Sequence, residues 1–270
     1  MDGINNQFWD ATASNWTTVQ CDYKVRFEAY KRGHERLTGS VDSWLDQTTV
    51  QHVAGLTRLA HITLDDLRAN AIDPRISTID EALLMRTIQL HDRGEIKSEF
   101  GDVKFRDHKA HHERAEYYGL LEEIAELPQA TNVADQRAFL LQFVHKQDVW
   151  SLLPDGAQLT LQALKETRSL EANLFAYLEY EDNLQYGANN QRKTGQPYVM
   201  TWILRNMIQR LDELVQREPL ISHFWQSSRR LRYLTYMLEN RKILDEDTVC
   251  KEKWKKPPVR ISHKRSTQVS

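Results

Sequence analysis

The chain has 270 residues, 40% hydrophobic and 27% charged, a balance that fits a globular protein whose core needs no staples. Its formal net charge of −2 argues against a surface built around nucleic acid. Two cysteines at opposite ends, Cys21 and Cys250, exclude a disulfide framework and a cysteine-rich zinc module. No apolar run approaches the roughly 20 residues of a bilayer crossing. The opening MDGINNQFWD has neither the basic start nor the apolar stretch of a secretion signal, so a soluble, cytoplasmic protein is expected.

Glycine (10) and proline (7) are scarce and the apolar residues recur at helical spacing, which predicts an all-α fold. In chain order, a weak amphipathic helix is expected at 23–36 after a polar lead-in, and a second at 48–61 with Thr48 or Thr49 as N-cap. A short helix at 64–69 ends before Pro74, and Thr78 is a candidate cap for a helix over 79–91. Residues 93–107 contain Gly94 and Gly101 and read as a loop. A helix follows at 109–126, stopped by Pro128, then one at 134–145, and Pro154-Asp155-Gly156 marks a turn. Residues 158–186 read as one long helix or two, closing at Gly187, with further helices at 199–216 and 221–240. Trp202 and Trp225 fall on apolar faces and read as core anchors or as a homodimer surface. Residues 251–270, with Pro257-Pro258 and little apolar content, read as a disordered tail.

Three ionisable residues continue apolar stripes. His52 stands with Leu56 and Leu59, His91 with Leu84 and Ile88, and Asp182 with Phe175 and Leu178, each at i, i+3, i+4 or i+7 spacing. Asp92 follows His91 directly. Two histidines and two aspartates facing inward form a ligand set for Mn²⁺, Co²⁺, Mg²⁺, Fe²⁺ or Zn²⁺. A histidine on an apolar face is equally the mark of a satisfied core residue, and Asp182 could pair with an arginine, so periodicity leaves both readings open.

The order His52, His91-Asp92, Asp182 resembles that of the HD-domain superfamily of metal-dependent phosphohydrolases, a helical-bundle family. Thr49-Val-Gln-His52 with Ala54, Leu56, Leu59 and Ala60 is similar to the family's first histidine helix. His91-Asp-Arg-Gly-Glu95-Ile and Gly101-Asp102-Val resemble the loop of the 5′-deoxynucleotidase-like branch, and Tyr180-Glu-Asp182-Asn-Leu the segment with the last ligand. The resemblance implies one divalent ion on His52, His91, Asp92 and Asp182, with Glu95 and Asp102 as catalytic carboxylates; Glu99 competes with Asp102 for that role. It also implies substrate contacts from Arg36 and Trp44, and from Lys109 or His112. His108, His111 and His112 belong to a solvated helix start, a phosphate contact or a second metal. The implied division is a lead-in with a first helix at 1–45, a phosphohydrolase domain at 46–187, a packed helical extension at 188–245 and a basic tail at 246–270.

The implied reaction is hydrolysis of a (deoxy)nucleoside 5′-monophosphate. A nucleoside triphosphate, an alarmone, a cyclic nucleotide or a nucleic-acid end would keep the site and change the substrate, and a nucleotide-sensing protein would keep the ligands without turnover. The partner is a nucleotide or another phosphorylated small molecule, with no membrane and no nucleic acid expected. Residues 251–270 hold five Lys and two Arg against one Glu, which gives +6 and leaves −8 for residues 1–250. An acidic body makes a local cation more necessary for an anionic substrate.

Overall fold

A computed structural model describes residue 26 and residues 28–70, 72–97, 109–125 and 127–245. The fold is an all-α helical bundle, and among the described residues no helix is long and apolar enough to cross a membrane. Asp102, Glu99, His108, both cysteines and the basic tail lie outside the described residues.

The first helix, α1 (Glu28–Thr38), leads through a loop to α2 (Thr49–Ala69). Helix α2 starts with a capping box. The Gln51 amide donates to Thr48 Oγ1 at 3.2 Å and the Thr48 amide donates to Gln51 Oε1 at 2.9 Å. The start is therefore set at Thr49, three residues before the buried His52. The helix then runs unbroken to Ala69, absorbing the short helix expected at 64–69. A 3₁₀ turn at Pro74–Thr78 follows, and Asp80, rather than Thr78, caps α3 (Glu81–Leu90), accepting from the Leu83 amide at 3.0 Å.

Beyond His91 and Asp92 the chain re-enters a helix at once, α4 (Arg93–Lys97), where a loop was expected. Helices α5 (Ala110–Ile124), α6 (Gln129–Leu140), α7 (Gln147–Trp150) and α8 (Asp155–Thr167) follow. Pro154 is the N-cap of α8, so the Pro-Asp-Gly expected as a turn is a helix start, with Asp155 favourable beside the positive end of the dipole. After a break at Arg168, α9 runs over Ser169–Thr194. It passes through Gly187, whose missing side chain leaves room for Met200 and Ile203 of α10 (Tyr198–Arg217), and ends where Gly195 turns left-handed at φ 69°. A 3₁₀ turn at Pro219–His223 leads to α11 (Ser227–Glu239).

Two cores flank α3 and α9. One side of α3, Leu84 and Ile88, joins a core with Leu56 and Leu64 of α2, Leu178 of α9 and Trp202 and Leu204 of α10. The other, Leu83 and Leu90, joins Leu120, Phe139, Phe143 and Leu161. Residues on both sides of position 187 share the first core, which contains Trp202 and Trp225 as anchors, so no break in packing separates residues 188–245 from the helices before them.

Helix α4 is pressed onto α5. A Cβ at Gly94 would lie 2.0 Å from the Glu116 carbonyl oxygen and 2.6 Å from its carbon, both backbone atoms that cannot swing aside. Gly94→Ala is expected to cost about 1–3 kcal/mol, the usual range for overpacking, because α4 must move off α5. Urea unfolding measures it, and stability equal to wild type would contradict this packing.

Candidate metal centre

Three helices converge on one buried point. His52 projects from the first turn of α2, His91 caps the C-terminus of α3 with Asp92 next to it, and Glu179 and Asp182 lie one turn apart on α9. The leucine stripes that bury these helices carry the polar residues inward with them. His52 is fully buried, and His91, Asp92 and Asp182 are at most 9% exposed. Phe175, one turn before Glu179, packs its ring edge-on to His91 at 5.3 Å.

Hydrogen bonds fix which face each imidazole presents. His91 Nδ1 lies 2.8 Å from the Ile88 carbonyl oxygen, which can only accept, so this nitrogen carries a proton. His52 Nδ1 lies 2.7 Å from Asp182 Oδ2 and is held the same way. In the neutral rings both Nε2 atoms are then proton-free, and they face one another at 3.0 Å. Glu179 Oε1 sits 3.1 Å from one and 3.0 Å from the other. Asp92 places Oδ1 3.1 Å from His91 Nε2 and Oδ2 3.6 Å from His52 Nε2. That Oδ2 is buried and has no hydrogen-bond partner among the described residues. Four acceptors thus face one another with no donor between them unless a proton or a cation intervenes.

The electrostatics follow from this crowding. Burial pulls the His91 imidazole down, but the Asp92 and Glu179 carboxylates outweigh it and raise it well above the ordinary histidine value. For His52, burial and the Arg26 charge pull down while Glu179 and Asp182 win and raise it. Burial pushes Asp92 up, yet His91, Arg26 and His52 hold it far below the usual carboxylate range, and the two histidines do the same to Glu179.

His52, His91 and Glu179 could together hold a metal ion. Around an ion with bonds of about 2.1 Å, neighbouring octahedral positions lie about 3.0 Å apart. The separations of 3.0, 3.0 and 3.1 Å among these three atoms fit that spacing. The mixed imidazole and carboxylate donors suit Mn²⁺, Fe²⁺, Co²⁺ or Zn²⁺.

The remaining expected site residues are placed differently. Glu95 lies in α4, its amide donating to the Asp92 carbonyl at 3.2 Å, one turn from the cluster. Trp44 is a core residue, 4% exposed and packed against the His34 ring at 5.3 Å. Arg36 is exposed in the last turn of α1, where its charge suits the negative helix end. His112 accepts from the Lys109 amide through Nδ1 at 3.0 Å and so caps α5, with Lys109 exposed at the N-cap.

Two residues that the sequence pattern did not single out belong to the centre. One is Glu179. The other is Arg26, whose amide pairs with the Gln47 carbonyl at 2.8 Å and whose guanidinium comes within 3.9 Å of Asp92 and 3.8 Å of Asp182.

The pKa directions set a pH signature for the metal-free protein. The raised imidazoles contribute stability that is fully present below about 6.5 and is lost as pH rises through their folded values. The depressed carboxylates contribute stability present above about 4.5 and lost as pH falls through theirs. The metal-free melting temperature should therefore fall between about pH 6 and pH 9, while the rise on adding Mn²⁺ should grow over the same interval because ions require deprotonated rings. Thermal melts with and without the ion test this; a metal-free melting temperature that climbs towards pH 9 would contradict it.

No family model, curated protein or solved structure matches the chain, and the chemistry of the centre is read from its own atoms.

Proposed function

We propose that the chain is a metal-dependent phosphohydrolase of the HD-domain kind, acting on a (deoxy)nucleoside 5′-monophosphate. The observation that carries this reading is the meeting of His52 Nε2 and His91 Nε2, 3.0 Å apart, with the Asp92 and Glu179 carboxylates; His52, His91 and Asp92 belong to the order of residues that the resemblance names. His52, His91 and Glu179, with Asp92 beside them, would hold the ion. When bound, such an ion polarises a phosphoryl oxygen and makes water more acidic, which suits the very slow hydrolysis of phosphate monoesters.

The chain's own residues supply the rest. Arg26 offers the guanidinium beside the cluster, a planar fork matched to phosphate oxygens. Glu95, partly exposed in α4 and one turn beyond Asp92, would accept a proton from water or return one to the leaving alkoxide.

Phosphate release from a panel of nucleoside 5′-monophosphates with Mn²⁺, Co²⁺ or Mg²⁺ tests the reading. Wild type should release inorganic phosphate, and Glu95→Gln should lower kcat by about 10²–10⁴-fold, the usual contribution of a positioned acid or base. Arg26→Ala should act mainly on KM. Pyrophosphate or triphosphate as product would redirect the reading to another HD substrate. Absence of turnover on every phosphorylated compound, with a His91→Ala/Asp92→Ala double variant behaving as wild type, would refute it.

A further inference from the structure

We infer that the two α9 carboxylates divide the work: Glu179 is the direct ligand of the ion, and Asp182 is a positioning residue that acts through His52. This rests on the metal-centre reading above and departs from the ligand set that the resemblance implies.

The geometry separates the two side chains cleanly. Glu179 Oε1 meets both Nε2 atoms, at 3.1 and 3.0 Å, on the side of the rings where the acceptors converge. Asp182 Oδ2 meets the opposite nitrogen of His52, Nδ1, at 2.7 Å. One carboxylate oxygen that accepts the Nδ1 proton at that distance fixes the ring's tautomer and its rotation, and so determines that the Nε2 lone pair points at Glu179. The Ile88 carbonyl performs the same service for His91. The two imidazoles are therefore treated alike, each with an acceptor behind Nδ1 and an open Nε2.

Helix geometry explains the exchange of roles. Residues 179 and 182 are three apart and share one face of α9, so either could approach His52. The longer glutamate reaches past the ring to the Nε2 side, while the shorter aspartate stops at Nδ1. The seat for that aspartate is shaped on α2. Gly55, one turn beyond His52, has no side chain, and a Cβ there would stand 3.1 Å from Asp182 Oδ1. Arg26 Nη1 lies 3.8 Å from the same Asp182 Oδ2, so that oxygen is held between the His52 ring and a guanidinium.

The test uses the full chain titrated with Co²⁺ and with Mn²⁺, followed by metal content after desalting. Asp182→Asn keeps an oxygen that can accept from Nδ1 and should still bind one ion, weakened by about 10–100-fold, the range typical for a group that orients a ligating histidine. Glu179→Gln exchanges the charged ligand for a neutral amide oxygen and should weaken binding at least about tenfold more than Asp182→Asn does. Should either variant fold poorly, ¹⁵N-histidine spectra of wild type loaded with Zn²⁺ decide independently. His52 should carry its proton on Nδ1, with Nε2 shifted by the ion. Loss of binding in Asp182→Asn with near wild-type binding in Glu179→Gln, equal weakening in both, or an ion on His52 Nδ1 would each overturn the division of roles and leave the proposed phosphohydrolase intact. A wild-type protein that takes up no ion would overturn both.

Discussion

Two imidazoles that both carry a proton on Nδ1 can satisfy each other across Nε2 only through a further proton or a cation, and this protein holds such a pair 3.0 Å apart in its interior. The arrangement is a local conflict that the rest of the bundle has to hold in place. Buried acceptors without donors cost about 1–3 kcal/mol each, and more when charged. The surrounding stripes of Leu56, Ala60 and Leu64 on α2, Leu84 and Ile88 on α3, and Leu174 and Leu178 on α9 supply the apolar burial that offsets this. Remove one member of such a set and the others are left as uncompensated buried charges, which is why the cluster is better viewed as a unit than as pairs.

The placement of α3 makes the unit compact. Its two apolar faces engage two different cores, which pins the helix axis from both sides. The His-Asp pair comes where that pinned helix ends, so His91 is fixed by its own last turn through the Ile88 carbonyl while Asp92 is free of the α3 ladder and can fold back towards His91 Nε2. Immediate re-entry into α4 then carries Glu95 past the cluster, and the close approach at Gly94 sets how near α4 lies to α5. The adjacency of His91 and Asp92 is thus a consequence of a helix junction, with one residue on each side of it.

Much of this was legible in the sequence because His52, His91 and Asp182 continue apolar stripes, and inward-facing polar residues on such stripes must find partners. Glu179 carried the same signal, four residues after Phe175, but sits in the polar run Glu179-Tyr-Glu-Asp182, where the face of a single carboxylate is hard to distinguish. Arg26 carried none. It lies before α1, and its position depends on a pairing with Gln47 twenty-one residues away that no periodicity encodes. The helix ends misread locally have one cause as well. Gly187 and the Pro154-Asp155-Gly156 run have the composition of breaks, yet a glycine also permits two helices to touch, and proline followed by aspartate also starts a helix. Local chemistry allowed both outcomes in each case, and the tertiary packing selected one.

The charges around the centre bear on how an anion could enter it. Asp92, Glu179 and Asp182 against Arg26 sum to −2, which the raised imidazoles offset in part by binding protons, inside a body whose first 250 residues carry −8. At physiological salt, charges beyond about 8 Å are largely screened, so the basic residues of 251–270 would have to come close to the site to offset this deficit. The local field must be changed locally. A divalent cation between the acceptors would displace those protons and cancel the −2, and would weaken the pull of Asp92 and Asp182 on the Arg26 guanidinium. On the proposed reading the ion precedes the substrate for this electrostatic reason. Asp92 and Glu179, whose charge opposes a nucleotide, lie beside the same Nε2 atoms where the cation that reverses this field would be held.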